Sequence, residues 1–153
     1  MRLQSHYGSG RLVNHTAFGR ELRKAARRAL VGHVDVYDFG FQDGGCAMFA
    51  RALVIWSGDR LSMAGYALPG NRVQHVVAHD MDLVMDSDGL ATSLEGARKM
   101  AVIERCPGCI LLEGFVPAAS PRIPWSEQGS RDIAAVLSGA LPDPATTPWR
   151  QAA

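Results

Sequence analysis

A thiol is a sluggish nucleophile until it loses its proton, and one cysteine in this chain sits where that loss is favoured. Cys46 follows Gly44 and Gly45 in "FQDGGCAMFARALVIW", residues 41 to 56, where a loop gives way to a helical pattern. Unpaired backbone N–H groups in the first turn of a helix favour the thiolate, and the same donors stabilise an oxyanion. Gly44 and Gly45 clear side chains from the approach side, so the backbone at Gly45 can come close to a substrate carbonyl. Gln42 carries an amide N–H₂ that serves as a second oxyanion donor if the turn brings it back. A cysteine of this kind, taken alone, is more often a buried apolar residue than a nucleophile. Its partners therefore decide its role.

A nucleophilic thiol needs an imidazole within hydrogen-bond reach and a third group to orient that imidazole. The run "RVQHVVAHDMDLVMDSDGL", residues 72 to 90, offers both on a β-hairpin. With His79 and Asp82 flanking a two-residue turn at Asp80-Met81, His75 falls directly opposite Asp86, and opposed side chains share a face and interact. His79 and Asp82 lie on that same face by strand parity. His79 is nearer the turn and is expected to be solvated. The apolar neighbours Val73, Val76, Val77 and Ala78 place His75 deeper in the sheet. The candidate constellation is thus Cys46, His75 and Asp86, with Gln42 and Gly45 in support.

The elements that position these residues follow from periodicity. Asn14 or Thr16 caps a first helix running to about residue 30. Residues 32 to 41 alternate as a short strand or an extended entry into the Gly-Gly turn. Residues 46 to 56 form a buried central helix that ends at Gly58. Residues 61 to 68 are weakly strand-like, and Pro69-Gly70-Asn71 is a turn signal. Thr92 and Glu95 make a capping box for a helix to about Arg105, stopped by Pro107-Gly108. "CILLEGFVP", residues 109 to 117, reads as a buried strand. Ser130 caps a last short helix, and residues 141 to 153 read as an extended or frayed tail. This order predicts one α+β domain over residues 1 to 153, with its core at about residues 14 to 140 and a small antiparallel sheet.

Composition closes off other classes. The chain has 153 residues, 47% hydrophobic and 20% charged, which suits a globular domain rather than a disordered or fibrous one. It contains no apolar run long enough to span a membrane. Its polar start lacks the apolar core of a secretory signal, so a cytoplasmic protein, or one exported without such a signal, is expected. A formal charge of +1 creates no field that recruits nucleic acid. The local basic run "GRELRKAARRAL" reads as the solvated face of an amphipathic helix. Asp86-Ser87-Asp88-Gly89 lacks the ligands that complete a calcium loop. Cys106-Pro-Gly-Cys109 is a lone C-x-x-C, with no second pair for zinc and no thioredoxin-like setting; the two cysteines are expected to be only adventitiously close. No cofactor is called for.

"GGCAMFARAL" followed by "QHVVAHDMDLVMDSDGL" resembles the small papain-like cysteine hydrolases, among them peptidase and deamidase domains of bacterial and phage proteins. The resemblance covers about residues 40 to 90 and lies in layout: a Cys opening a central helix, a His on one strand and an Asp on the next. It implies a papain-like core in which the helix carrying Cys46 packs on a small antiparallel sheet. It further implies Cys46 as nucleophile, His75 as general base and then acid, and Asp86 as the orienting group. The reaction would be cysteine-dependent hydrolysis of an amide bond through a thioester, on a protein or peptide substrate. A different class, a non-enzymatic immunity or adaptor domain on the same frame, would show ordinary thiol reactivity instead.

Overall fold

Runs of valine, alanine and other small apolar residues between short turns build the sheet. In a computed structural model the described residues are 17–33, 45–102, 106–114, 126–146 and 149. Helix α1 spans Ala17–His33 and α2 spans Cys46–Trp56, followed by strands β1 (Ser62–Leu68), β2 (Arg72–Asp80), β3 (Leu83–Asp86) and β4 (Gly89–Thr92). Helix α3 (Ser93–Val102), strand β5 (Ile110–Glu113), helix α4 (Glu127–Ala140) and a 3₁₀ turn at Pro144–Thr146 complete the order. The five strands form one antiparallel sheet in the order β4-β3-β2-β1-β5. The fold is therefore α+β, as the element order predicts. None of the described helices is long and apolar enough to cross a membrane.

One sheet face carries α1, α2 and α4. Helix α1 turns Phe18, Leu22, Ala25, Ala26 and Ala29 inward while Arg20, Lys24, Arg27 and Arg28 remain exposed, the amphipathic spacing expected of that run. Helix α2 is buried nearly all round, with Ala47, Ala50 and Ala52 small enough for close approach by its neighbours. It ends where Gly58 and Asp59 take φ of 63° and 62°, the left-handed region that terminates helices. Ser126, rather than Ser130, caps α4 by accepting a hydrogen bond from the Gly129 N–H at 3.1 Å, while Ser130 is buried and bonds back to the Ser126 carbonyl. Across the helix pair, Arg51 donates two hydrogen bonds to Glu127 at 3.0 and 3.1 Å. The other face of the sheet carries α3 and the Cys106–Cys109 segment.

Several expectations change. The hairpin turn is Met81-Asp82, with Asp80 paired to Leu83, one residue later than expected. Asp80 stays in β2, where Oδ2 accepts a hydrogen bond from Trp149 Nε1 at 3.0 Å, a contact that local turn propensity does not contain. Strand β5 is an edge strand and not a buried one, with Ile110 61% exposed. The tail is not frayed at Trp149, which is buried against Phe18 and Trp56. Cys106 and Cys109 are joined by a disulfide, so their proximity is a bond and not chance. Of the strand or extended entry expected at residues 32 to 41, residues 32 and 33 instead continue helix α1, and the rest lies outside the described residues, as do the caps Asn14 and Thr16.

Candidate functional site

Cys46 is the first residue of α2, and the helix start is left chemically open. Gly45 is the N-cap, at φ −82° and ψ 4°, with no side-chain capping bond and no acidic residue in the first turn. The first-turn N–H groups are thus not committed to a carboxylate. Burial pushes the thiol up, and the His75 imidazole opposes it through a hydrogen bond and its charge. The backbone N–H groups of Val76 and Ala47 add to the effect and hold Cys46 below its ordinary value. Gly45 does not adopt a left-handed φ. Gln42 lies outside the described residues.

His75 is aimed by an irregularity in its own strand. Tyr66 pairs with His75 and Ala67 with Val73, so Gln74 is an extra residue in β2. A bulge of this kind bends the strand and re-aims the adjoining side chain. His75 Nε2 lies 2.9 Å from Asp86 Oδ2. With Nε2 so engaged, Nδ1 is the nitrogen free to meet the thiol. The hairpin register differs from the expected one by one residue along each strand. Continued in the observed register, it sets Asp86 diagonal to His75 instead of opposite. Both registers leave the two side chains on one face, because a two-residue relative slip preserves parity. The expected contact therefore forms by another pairing.

Asp86 is fixed from several sides. Oδ1 accepts the Asp88 N–H at 2.8 Å, closing the Ser87-Asp88 turn between β3 and β4. Oδ2 takes the His75 ring and also the Lys99 ammonium, each at 2.9 Å. Burial alone would raise this carboxyl, but Lys99 and His75 hold it far below the usual carboxylate range. For His75, burial works against the charged form, yet Asp86 and Cys46 overcome it and push its pKa up to about 9. Both directions, Cys46 lowered and His75 raised, favour the thiolate–imidazolium pairing.

Lys99 is the residue that sequence reasoning missed. Its place four residues after Glu95 suggests a local helix ion pair. Glu95 instead accepts the Thr92 N–H at 2.9 Å while Thr92 Oγ1 accepts the Glu95 N–H at 3.2 Å, the capping box expected there. Lys99 turns inward, its side chain 11% exposed, and also lies 3.2 Å from Asp88 Oδ2. Gly96, one turn earlier, lets α3 settle on the Tyr66 ring, whose hydroxyl donates to the Ser93 carbonyl at 2.8 Å. A small cavity beside Asp86 is lined by Tyr66, Gly96 and Lys99 and does not reach Cys46.

His79 departs from expectation. It is 9% exposed rather than solvated, flanked by Ser62 and Val84, and its Nδ1 has no hydrogen-bond partner among the described residues. The structure thus brings Cys46, His75 and Asp86 together, with His79 two side chains along the same face of β2 from His75. Chemically, the arrangement can store a proton on His75 while Cys46 attacks an electrophile, then return it. No family model, curated protein or solved structure matches the chain.

Proposed function

We propose that the chain is a cysteine hydrolase of papain-like layout that cleaves an amide bond, as a deamidase or peptidase, in a protein or peptide substrate. The observation that carries this reading is the His75 ring, which lies 2.9 Å from the Asp86 carboxylate while its hydrogen bonding and charge act to lower the Cys46 thiol. The Cys46 thiolate attacks the carbonyl carbon, and the new S–C bond leaves the oxygen negative, facing the N–H groups at the start of α2. Collapse breaks the C–N bond as His75 gives its proton to the leaving amine or ammonia. Water, deprotonated by His75, then attacks the thioester and releases the acid, and the thiol is restored. Asp86 keeps the ring oriented throughout.

A second reading, an interaction domain on the same frame, draws on burial: Cys46 is only 9% exposed and His75 only 3%. Alkylation of Cys46 by iodoacetamide, followed by mass spectrometry from about pH 4 to about pH 9, separates the two. The hydrolase reading expects a midpoint well below the ~8.5 of a free thiol, moved upward in His75→Ala and part of the way in Asp86→Asn. An ordinary midpoint in all three proteins would leave the interaction domain as the better account. A low midpoint directs the next step to amide substrates, glutamine side chains and peptides in parallel.

A further inference from the structure

Asp86 Oδ2 accepts two cations at once, the His75 ring and the Lys99 ammonium, both at 2.9 Å. A carboxylate oxygen serving His75 alone would hold the imidazolium proton with its whole charge, and a tightly held imidazolium is a poor acid toward a leaving amine. The direction of the lysine matters here. Lys99 donates a hydrogen bond to Asp86 Oδ2 at 2.9 Å and stands farther from Asp88 Oδ2, at 3.2 Å. Lys99 is therefore aimed at the oxygen that holds His75, and Asp88 serves as its outer counter-charge.

We propose that Lys99 is a positioning residue that, by sharing Asp86 Oδ2 with His75, weakens the carboxylate's hold on the imidazolium proton and sets the pH at which His75 releases it. This deepens the hydrolase reading and rests on it for its purpose. The groups facing His75 come from every neighbouring element: Cys46 from α2, Tyr66 from β1, Asp86 from β3, and His79 two side chains along the same face of β2. Behind Asp86 stand Lys99 from α3 and Asp88 from the β3–β4 turn, whose carbonyl accepts Arg23 Nε of α1 at 3.3 Å. Among these, Lys99 is the cation bonded to the oxygen that orients His75.

The test is an NMR pH titration of the His75 ring in the full chain, on wild type, Lys99→Met, Lys99→Arg and Asp88→Asn. In Lys99→Met the midpoint should rise from about 9 by on the order of one pH unit, a tenfold change in the protonated-to-neutral ratio. In Asp88→Asn it should fall, because more of the lysine's charge then acts on Asp86. Lys99→Arg should stay near wild type. Folded Lys99→Met with an unmoved midpoint would reduce Lys99 to scaffolding. A fall in that variant would mean that Lys99 holds Asp86 in place rather than tempering it, and either result overturns the proposal. If Lys99→Met does not fold, Asp88→Asn, which keeps the lysine, decides by the direction of its shift. The imidazole is read directly, so an inert Cys46 in the alkylation experiment would sink the hydrolase reading without altering this comparison.

Discussion

The two faces of the sheet are packed by opposite means. Toward α1, α2 and α4 the contacts are apolar: Phe18, Trp56 and Trp149 meet with ring centroids 5.7 to 6.1 Å apart, beside Leu22, Phe49, Leu53, Ile133 and Leu137. Toward α3 the sheet places Asp86, Asp88 and Lys99 beside Tyr66, Val77, Val84 and Met100. Apolar burial is non-directional and survives small shifts, whereas a buried ion cluster is stable only while every member keeps its partner. The first face fixes where α2 sits, and with it Cys46. The second fixes the charge state of the residue that Cys46 meets. His75 belongs to both, because its ring spans from the α2 start to Asp86.

The largest loss of stability should come from the apolar face. Trp149 is almost fully buried and bonds to Asp80, so Trp149→Ala removes an aromatic core residue and one hydrogen bond. Truncation of such a side chain costs about 3–5 kcal/mol. Chemical denaturation should report nearly the same loss at about pH 5 as at about pH 7, since no charge is removed. Trp149→Phe should recover part of it by restoring a ring against Phe18 and Trp56. A loss that changes steeply with pH in this range would break the contrast between the faces.

Asp86→Asn should cost somewhat less, about 2–3 kcal/mol near neutral pH. The amide keeps an acceptor for His75 and Lys99 but not the charge that compensates them. Here the loss must depend on pH, and the sign follows from linkage. The folded carboxyl is held below its unfolded value, so its contribution is complete above about pH 4 and drains away as the pH falls. The stability gap between wild type and Asp86→Asn should therefore narrow from about pH 7 to about pH 3. A gap that stays constant would show that the carboxylate is not the charged centre of this face.

The contrast between the faces also explains what a reader of the sequence can and cannot see. Helix α1, helix α2 and the β2–β3 hairpin are legible because their burial repeats at local periods. Cys46, His75 and Asp86 are legible for a related reason: strand parity keeps His75 and Asp86 on one face even though the turn falls a residue later than expected. Lys99 is not, because its partner is chosen by how closely α3 approaches the sheet, a tertiary quantity. The same holds for Trp149, which lies beyond a proline-rich stretch with no period of its own, and whose partners Phe18 and Asp80 are far away in the chain. β5 has the composition of a core strand, but its place at the sheet edge depends on the pairing order.

The smallest effect expected is also the most informative about how the charged face is assembled. A methyl group at Gly96 would overlap the Tyr66 hydroxyl and stand 2.8 Å from its ring carbon Cζ. Tyr66 is 1% exposed and tied to Ser93, so the ring has little room to give, and α3 must lift. Overpacking costs typically about 1–3 kcal/mol, while alanine regains up to about 1 kcal/mol of helix propensity over glycine. A net loss of about 1–2 kcal/mol should follow. Lys99 lies one turn further along α3, so lifting the helix draws its ammonium from Asp86. The His75 midpoint should then rise, as it should in Lys99→Met, although no charge has been removed. Adding Tyr66→Phe takes away the atom that a methyl group overlaps most. It should return part of the stability and part of the His75 shift together, a coupling that a double-mutant cycle measures. Recovery of stability without recovery of the His75 midpoint would separate the packing of α3 from the placement of Lys99 and would refute the link between them.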